Sequence, residues 1–211
     1  EQKFINCAIV DLLGNIIFQQ SFRFEKIGYK EISSLLNEKI KAEPRIQYIS
    51  VGFPGYYHAG KLDSCGIEEL NGWDLIGLLK KEFQIPVFWE NDMNAIAYGS
   101  YTKKQRPSET ENTFVMISFF KDTGLGSGII VNGKLIHGNT NFAGEILYLP
   151  YSETDTLDLL RQGKQAVIDC AAMALSCYCA ILNPALVSFT GENLSEEMLE
   201  PIRQKCLKKI P

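Results

Sequence analysis

The feature that most constrains this sequence is an order of patterns that occurs twice, a β-rich hairpin followed by a helix. In the first half, Phe4–Val10 is rich in strand-forming residues, Gly14-Asn15 provides a turn, and Ile16–Phe22 continues with bulky residues. Tyr29–Lys41 then places apolar residues at helical spacing. This half therefore predicts two paired strands and an amphipathic helix.

The second half repeats that order. Thr113–Phe120 and Gly126–Val131 predict strands, Asn132-Gly133 predicts a hairpin turn, and Val167–Leu182 predicts a helix that is apolar on most faces. Strands alternating with helices favour an α/β fold with parallel pairing, and the repeated order predicts a duplicated fold. Further strands are predicted at Tyr48–Phe53, Pro86–Trp89 and Lys134–His137, and further helices at Trp73–Phe83 and from Asn94 onward.

The composition excludes several classes of protein. The 211 residues are 45% hydrophobic and 22% charged, which is typical of a globular chain. Lys and Arg number 21 against 25 Asp and Glu, so no excess of positive charge favours a nucleic-acid backbone. The apolar stretch Val167–Leu182 is interrupted by Asp169 and Ser176, and the N-terminal apolar run stops at Asp11. We expect a cytoplasmic protein that contacts no membrane and, through this chain alone, no nucleic acid.

The segment Thr123-Gly124-Leu125-Gly126-Ser127-Gly128 lies between two predicted strands. Alternating glycines allow backbone N–H groups to approach an anion closely and allow positive φ angles, which suits a phosphate or a sugar. Glycines that serve only the geometry of a tight hairpin are the alternative, because no lysine accompanies them. Both interpretations remain open on the sequence alone.

The segment Trp89–Asn94 directly follows a predicted strand and opens a helix, at the edge of an α/β sheet where ligands usually bind. A carboxylate beside two amides suits sugar hydroxyls, which need donors and acceptors, and Asp92 is a candidate general base. Alternatively, Asn91, Asp92 and Asn94 only cap the helix.

The remaining polar candidates are more isolated. Glu145 follows the polar stretch Gly138–Asn141, and is either a hydrogen-bond acceptor for a hydroxylated ligand or an exposed loop carboxylate. His58 and His137 have no partner that the sequence identifies. The six cysteines lack paired spacing and are expected to be reduced, and those of the apolar helix are expected to be small buried residues rather than metal ligands.

Taken in order, these segments resemble the ROK family of sugar kinases and sugar-responsive repressors. The matching stretches are Phe4–Gly14, Val51–Gly55, Asn71–Trp73, Ile85–Ala95, Thr123–Leu135, Phe142–Ile146 and Asn183-Pro184. The resemblance implies the actin-like ATPase fold, in which two ribonuclease-H-like lobes flank a cleft. The lobes would comprise residues 1–107 and 108–211, joined near Lys103 to Asn112.

The resemblance also implies the ligand sites. A sugar would be bound by Gly55, Asn91, Asp92, Glu145 and Tyr148, with Asp92 as the catalytic base if the chain is a kinase. A degenerate nucleotide site would contain Thr123, Gly124, Gly126, Gly128 and Gly191.

Four departures from the family pattern bear on function. Glu1-Gln2-Lys3 stands where the family's phosphate loop ends in Gly-Gly-Thr, which is electrostatically unfavourable for ATP. Tyr148 replaces a histidine and the family's cysteine segment is missing, so no zinc is expected. A pair of glycines near the adenosine is replaced by Thr190-Gly191-Glu192, and the stretch from Pro150 to Asn183 is short.

Three functions follow as hypotheses of different class. In the first, the chain senses a monosaccharide, amino sugar or sugar phosphate for a transcriptional regulator whose DNA-binding helix-turn-helix would precede Glu1. In the second it is a divergent sugar kinase that uses ATP and Mg²⁺. In the third it is a non-catalytic interaction protein. We expect a homodimer without zinc, and without any cofactor unless the chain is a kinase that uses ATP and Mg²⁺.

Overall fold

The computed structural model describes residues 3–64, 66–103, 112–120, 124–153 and 155–210. Within these ranges the strands are β1 (Lys3–Val10), β2 (Ile16–Phe24), β3 (Ile49–Phe53), β4 (Tyr56–His58), β5 (Lys61–Asp63), β6 (Val87–Asn91), β7 (Thr113–Phe120), β8 (Gly124–Val131), β9 (Lys134–Leu135) and β10 (Leu186–Thr190). The helices are α1 (Tyr29–Ala42), α2 (Leu75–Phe83), α3 (Asp92–Lys103), α4 (Thr156–Leu160), α5 (Lys164–Leu182) and α6 (Glu196–Leu207). The predicted elements are confirmed, with ends that differ from the prediction by at most three residues.

The chain divides into two compact units. Unit 1 comprises Glu1–Val51 and Tyr57–Trp89, and unit 2 comprises Gly52–Tyr56 and Glu90–Pro211. The predicted boundary between residues 107 and 108 lies outside the described residues. The helix before it, α3, belongs to unit 2 because it packs against β8.

Unit 1 contains the N-terminal hairpin, in which β1 and β2 pair antiparallel as the sequence predicts. Asp11 shapes its turn, since Oδ1 accepts hydrogen bonds from the amides of Leu13 and Asn15, both at 2.8 Å. In the same unit, α1 and α2 are joined through the Glu82 carboxylate, which accepts a hydrogen bond of 2.6 Å from Ser33 Oγ. These contacts stabilise the hairpin turn and connect neighbouring helices of unit 1.

Unit 2 is built on a four-stranded sheet in the order β10-β7-β8-β9. β7 pairs parallel with β10 and antiparallel with β8, and its residues 114–119 are all buried. Alternate side chains serve two cores, because successive residues of a strand point to opposite faces. Val115, Ile117 and Phe119 belong to a core with α5 and α6, whereas Phe114 and Met116 belong to a core with α3.

The apolar helix α5 begins at Lys164, three residues before the predicted start. Length and composition alone would allow it to cross a membrane. In unit 2 its residues Val167, Ala171 and Ala174 are buried in the core that includes β7. Cys170 is a buried free thiol on this helix, as the sequence predicts.

Candidate functional site

The junction between β6 and α3 positions Asn91 as the cap of the helix. Its Oδ1 accepts a hydrogen bond of 3.0 Å from the amide of Asn94, three residues on, which confirms the capping interpretation for this residue. Its Nδ2 donates a hydrogen bond of 2.8 Å to the carbonyl of Gly55, whose φ of 109° favours glycine. Asn91 therefore joins α3 to the 52–56 segment, and each amide atom keeps capacity for one further hydrogen bond.

Asp92 is the first residue of α3 and is partly buried. Its Oδ1 accepts a hydrogen bond of 2.8 Å from the Met93 amide, and Oδ2 has no partner among the described side chains. Burial raises the pKa of the Asp92 carboxyl above its ordinary value, although the bond from Met93 opposes that shift. A carboxylate with a raised pKa and an open oxygen can accept a hydrogen bond or a proton from a ligand hydroxyl.

Glu90, which the sequence does not single out, is the acceptor of three hydrogen bonds. Its Oε1 accepts from the Asn91 amide and from Asn94 Nδ2, both at 2.9 Å. Its Oε2 lies 2.9 Å from His137 Nε2. The interpretation of His137 as isolated is therefore wrong, since Glu90 is its partner. The sequence could not indicate this pair because 47 residues separate the two side chains and no local pattern links them.

Glu145 follows a loop that begins at His137 and is closed at both ends. The Ala143 amide donates to the His137 carbonyl at 3.2 Å. The Gly144 carbonyl accepts from Ser127 twice, from the amide at 3.1 Å and from Oγ at 2.7 Å. Glu145 is half-buried, so it differs from the fully exposed loop carboxylate that the sequence left as an alternative.

Tyr178 of α5 connects the core of unit 2 to this loop. Its hydroxyl is hydrogen-bonded to Ser127 Oγ, the same atom that contacts the Gly144 carbonyl. Burial raises the pKa of Tyr178 to about 12, and the nearby Glu145 carboxylate adds to that shift. The Glu145 carboxylate therefore lies close enough to Tyr178 to act electrostatically on its hydroxyl.

Three aromatic rings of unit 2 contact one another. Phe142 packs edge-on against Tyr56, with ring centroids 5.2 Å apart, and contacts Tyr148 at the same centroid distance. Tyr148, which stands where the family has a histidine, is 67% exposed. Tyr56 follows Gly55, and Phe142 and Tyr148 lie three residues either side of Glu145, so all three rings are near predicted sugar ligands in the sequence. Tyr148 is itself one of those ligands, whereas the sequence did not single out Tyr56 and Phe142.

The glycine-rich segment has a packing role. Gly126 and Gly128 lie within β8 in extended conformation, so the prediction of positive φ is wrong for both. A Cβ on Gly128 would lie 2.4 Å from Ala97 Cβ and 2.7 Å from the Met93 carbonyl oxygen, and one on Gly126 would lie 2.8 Å from Met93 Cγ. Because these two residues lack side chains, α3 can pack closely against β8. This packing explains the glycines without a bound phosphate.

The other residues of the implied nucleotide site are placed separately. Gly124 begins β8, and Thr123 lies outside the described residues. Gly191 follows β10 with a φ of 117°, and a Cβ there would lie 2.2 Å from the Phe119 carbonyl oxygen. Gly191 thus serves the close approach of its segment to the end of β7.

Across the ranges given above, no three His, Cys, Asp or Glu side chains are grouped to hold a metal ion. The expectations that the chain binds no zinc and needs no cofactor stay predictions. Of the predicted sugar ligands, the structure joins Gly55, Asn91 and Asp92 at one end of α3. It connects them to the Glu145 loop through Glu90 and His137.

Comparison with known proteins identifies the family. The model of the ROK family matches residues 2–181. This chain belongs to the ROK family. Its similarity to a ROK family protein from Streptococcus pneumoniae, solved in complex with sucrose, has a TM-score of 0.74 at 17% identity and covers 97% of this chain and 83% of that one. The actin-like ATPase fold is thereby confirmed.

Relatives of the ROK chain include proteins of two kinds. A xylose repressor from Bacillus spizizenii is 29% identical over 68% of this chain and 38% of its own length. An N-acetylmannosamine kinase from Vibrio cholerae is 32% identical over 56% of this chain and 40% of its own length. The matches therefore span well under half of these relatives, and the family includes both repressors and kinases.

Proposed function

We propose that unit 2 binds a sugar at the N-terminus of α3 and that the chain is the effector-sensing part of a sugar-responsive transcriptional regulator. The observation that carries the proposal is the joined set of polar groups around Asn91 and Asp92, which Glu90 and His137 connect to the loop of Glu145. The ligand class is a monosaccharide, an amino sugar or a sugar phosphate.

The chemistry of these groups suits a sugar. Each hydroxyl of a sugar both donates and accepts, so a site needs acceptors and donors side by side. Asp92 Oδ2 and the Glu145 carboxylate are acceptors, and Asn91 Nδ2 retains one donor after its bond to Gly55. The aromatic rings of Phe142 and Tyr148 complete the mixture of polar and apolar surface that is typical of small-molecule sites.

A sensor is favoured over an enzyme by the glycines of β8. Gly126 and Gly128 are explained by the packing of α3, so they do not require a nucleotide. The xylose repressor relatives and the replacement of the family histidine by Tyr148 support the same proposal. This chain has a net charge of −4, which does not favour contact with a nucleic-acid backbone. A DNA contact would therefore be made by another segment of the regulator.

Thermal unfolding with a panel of sugars tests the proposal. The panel contains D-xylose, D-glucose, N-acetyl-D-glucosamine, N-acetyl-D-mannosamine and the 6-phosphates of the hexoses. A sugar at about 100 times its Kd should add roughly 2.7 kcal/mol to the free energy of unfolding. Asp92→Ala should raise the Kd of that sugar by about ten- to a hundredfold, because the sugar hydroxyls lose a charged hydrogen-bond acceptor.

Asp158→Ala is the matched control, because Asp158 is an exposed carboxylate of α4 whose ion-pair partner among the described residues is Arg161. It should leave the sugar-induced shift unchanged. The proposal is contradicted if no sugar of the panel stabilises the wild-type chain, a result that leaves an interaction protein. It is equally contradicted if Asp92→Ala retains the full shift.

A sugar kinase is the second candidate, favoured by the raised pKa of the Asp92 carboxyl and by the N-acetylmannosamine kinase relative. A general base is most effective when its pKa lies nearer the working pH. A coupled assay with ATP, Mg²⁺ and the same panel distinguishes the candidates. The sensor predicts background turnover, whereas turnover that Asp92→Asn abolishes would replace the sensor with a kinase.

A further inference from the structure

We propose that Glu90 is a positioning residue of the sugar site, which holds the α3 side and the Glu145 side at a fixed separation through His137. The inference rests on the proposed sugar site, and it assigns to Glu90 no contact with the sugar. Glu90 is the residue whose single carboxylate contacts both parts of the site.

On the α3 side, Glu90 Oε1 fixes the turn that leads into the helix. It accepts from the Asn91 amide and from Asn94 Nδ2, both at 2.9 Å. Asn94 is in turn bonded through its amide to Asn91 Oδ1, so residues 90, 91 and 94 form a closed set of hydrogen bonds. Rotation of the backbone at this turn would redirect the Asn91 amide and the Asp92 carboxylate, and Glu90 restrains that rotation.

On the loop side, Glu90 Oε2 fixes the residue at the base of the Glu145 loop. His137 Nε2 lies 2.9 Å from Oε2, and the His137 carbonyl accepts the amide of Ala143, two residues before Glu145. A left-handed Gly138 allows the chain to turn tightly directly after His137. A shift of His137 would therefore move the loop that presents the Glu145 carboxylate.

Because the Glu90–His137 pair is partly exposed, its effect on sugar binding can be distinguished from its effect on the stability of the fold. The Glu90 and His137 side chains are 26% and 39% exposed, and ion pairs at such positions contribute about 1 kcal/mol or less to folding. Ligand binding, in contrast, falls steeply when binding groups are misplaced by about 1 Å. Loss of the pair should therefore weaken sugar binding far more than it lowers the melting temperature.

Calorimetric titration of the full chain with the panel sugars tests this assignment. Glu90→Ala should raise the Kd roughly tenfold and His137→Ala by about three- to tenfold. The double variant should bind no more weakly than Glu90→Ala alone, because both changes remove the same link. The Kd of Glu90→Gln should remain within about threefold of the wild-type Kd. The new amide oxygen can still accept from Asn91 and Asn94, and the new amide nitrogen can donate to a neutral imidazole of His137.

Melting temperatures of the same variants, expected within about 4 °C of the wild type, report on folding. His58→Ala, which removes the exposed histidine of β4, is the control and should leave the Kd unchanged. Wild-type binding with unchanged Kd in Glu90→Ala and His137→Ala would overturn the positioning role alone. The positioning role would also be overturned if the two changes raised the Kd additively in the double variant. It would be overturned as well if Glu90→Gln were folded but bound the sugar as weakly as Glu90→Ala. Absence of sugar binding by the wild type would overturn the proposed function and this role together.

Discussion

The glycine-rich start of β8 and the N-terminus of α3 are both typical of ligand binding by sequence, but they use their residues in opposite ways. In β8, missing side chains at Gly126 and Gly128 let α3 approach the sheet. At the junction of β6 and α3, the side chains of Glu90 and Asn91 supply polar atoms that join three segments of unit 2. Closely spaced glycines in a strand can therefore reflect the packing of a nearby helix, while the polar groups suited to a ligand lie at the start of that helix.

The largest expected effect is on packing. Gly128→Ala should lower the free energy of unfolding by about 2 to 3 kcal/mol, because its Cβ would lie 2.4 Å from Ala97 Cβ and 2.7 Å from the backbone oxygen of Met93. Gly99→Ala is the matched control, since Gly99 lies in α3 with open space around it. That change should raise the free energy of unfolding by roughly 0.5 to 1 kcal/mol. Urea denaturation measures both.

A Gly128→Ala chain as stable as the wild type would break the comparison, because the glycine would then need another explanation. Unchanged stability together with altered ATP binding would return the segment to the nucleotide interpretation.

The next effect concerns Asn91, which combines a cap with a bond to the 52–56 segment. Asn91→Ala should lower the free energy of unfolding by about 1 to 2 kcal/mol and also weaken sugar binding. Asp155→Ala removes the cap of α4, where Asp155 accepts from two amides, and should cost about 1 kcal/mol with no effect on binding. If both variants retain sugar affinity, the polar role of the α3 terminus is contradicted.

The smallest effect has the opposite sign. Because burial raises the pKa of the Asp92 carboxyl above its ordinary 3.8, the folded chain binds this proton more tightly than the unfolded chain does. Its contribution to stability is complete below the unfolded pKa and is lost as the pH rises through the folded pKa. Asp92→Asn should therefore raise the free energy of unfolding at pH 7, by a margin that shrinks as the pH falls towards 3.

Asp74→Asn provides the reverse case. The hydrogen bond from Tyr57 lowers the pKa of Asp74, so its contribution is present above the unfolded pKa and lost as the pH falls. This variant should be less stable than the wild type at pH 7, with a difference that shrinks on acidification. Urea midpoints at several pH values measure both, and equal signs for the two variants would contradict the burial of Asp92.

Much of the fold could be predicted because its patterns are local. The strand-forming residues of β1 and β2, the Asn132-Gly133 turn and the apolar run of α5 each indicate their element within a few residues. β7 reads as a continuous apolar run because both of its faces are buried. The choice of which helix covers which face depends on tertiary packing, so the grouping of α3 with unit 2 could not be predicted.

The site could be predicted only in part. Asn91 and Asp92 follow a strand and open a helix, which is a local pattern. Glu145 follows a polar stretch that makes it a candidate acceptor, and the family resemblance implies that it binds the sugar. Glu90 with His137, and Phe142 with Tyr56, are pairs that only the folded chain brings together. The sequence likewise could not predict that Met93 and Ala97 of α3 pack against Gly126 and Gly128 of β8, so it could not explain these glycines by packing.

An amide chemical-shift titration of the isotope-labelled chain, first with the sugar panel and then with ATP and Mg²⁺, tests the sugar site most directly. We expect a binding sugar to shift the amides of residues 91–94 and 137–145, and ATP to leave the amides of Gly126, Gly128 and Gly191 unmoved. Sugar-induced shifts absent from 91–94 and 137–145, or saturable ATP-induced shifts at those three glycines, would contradict it.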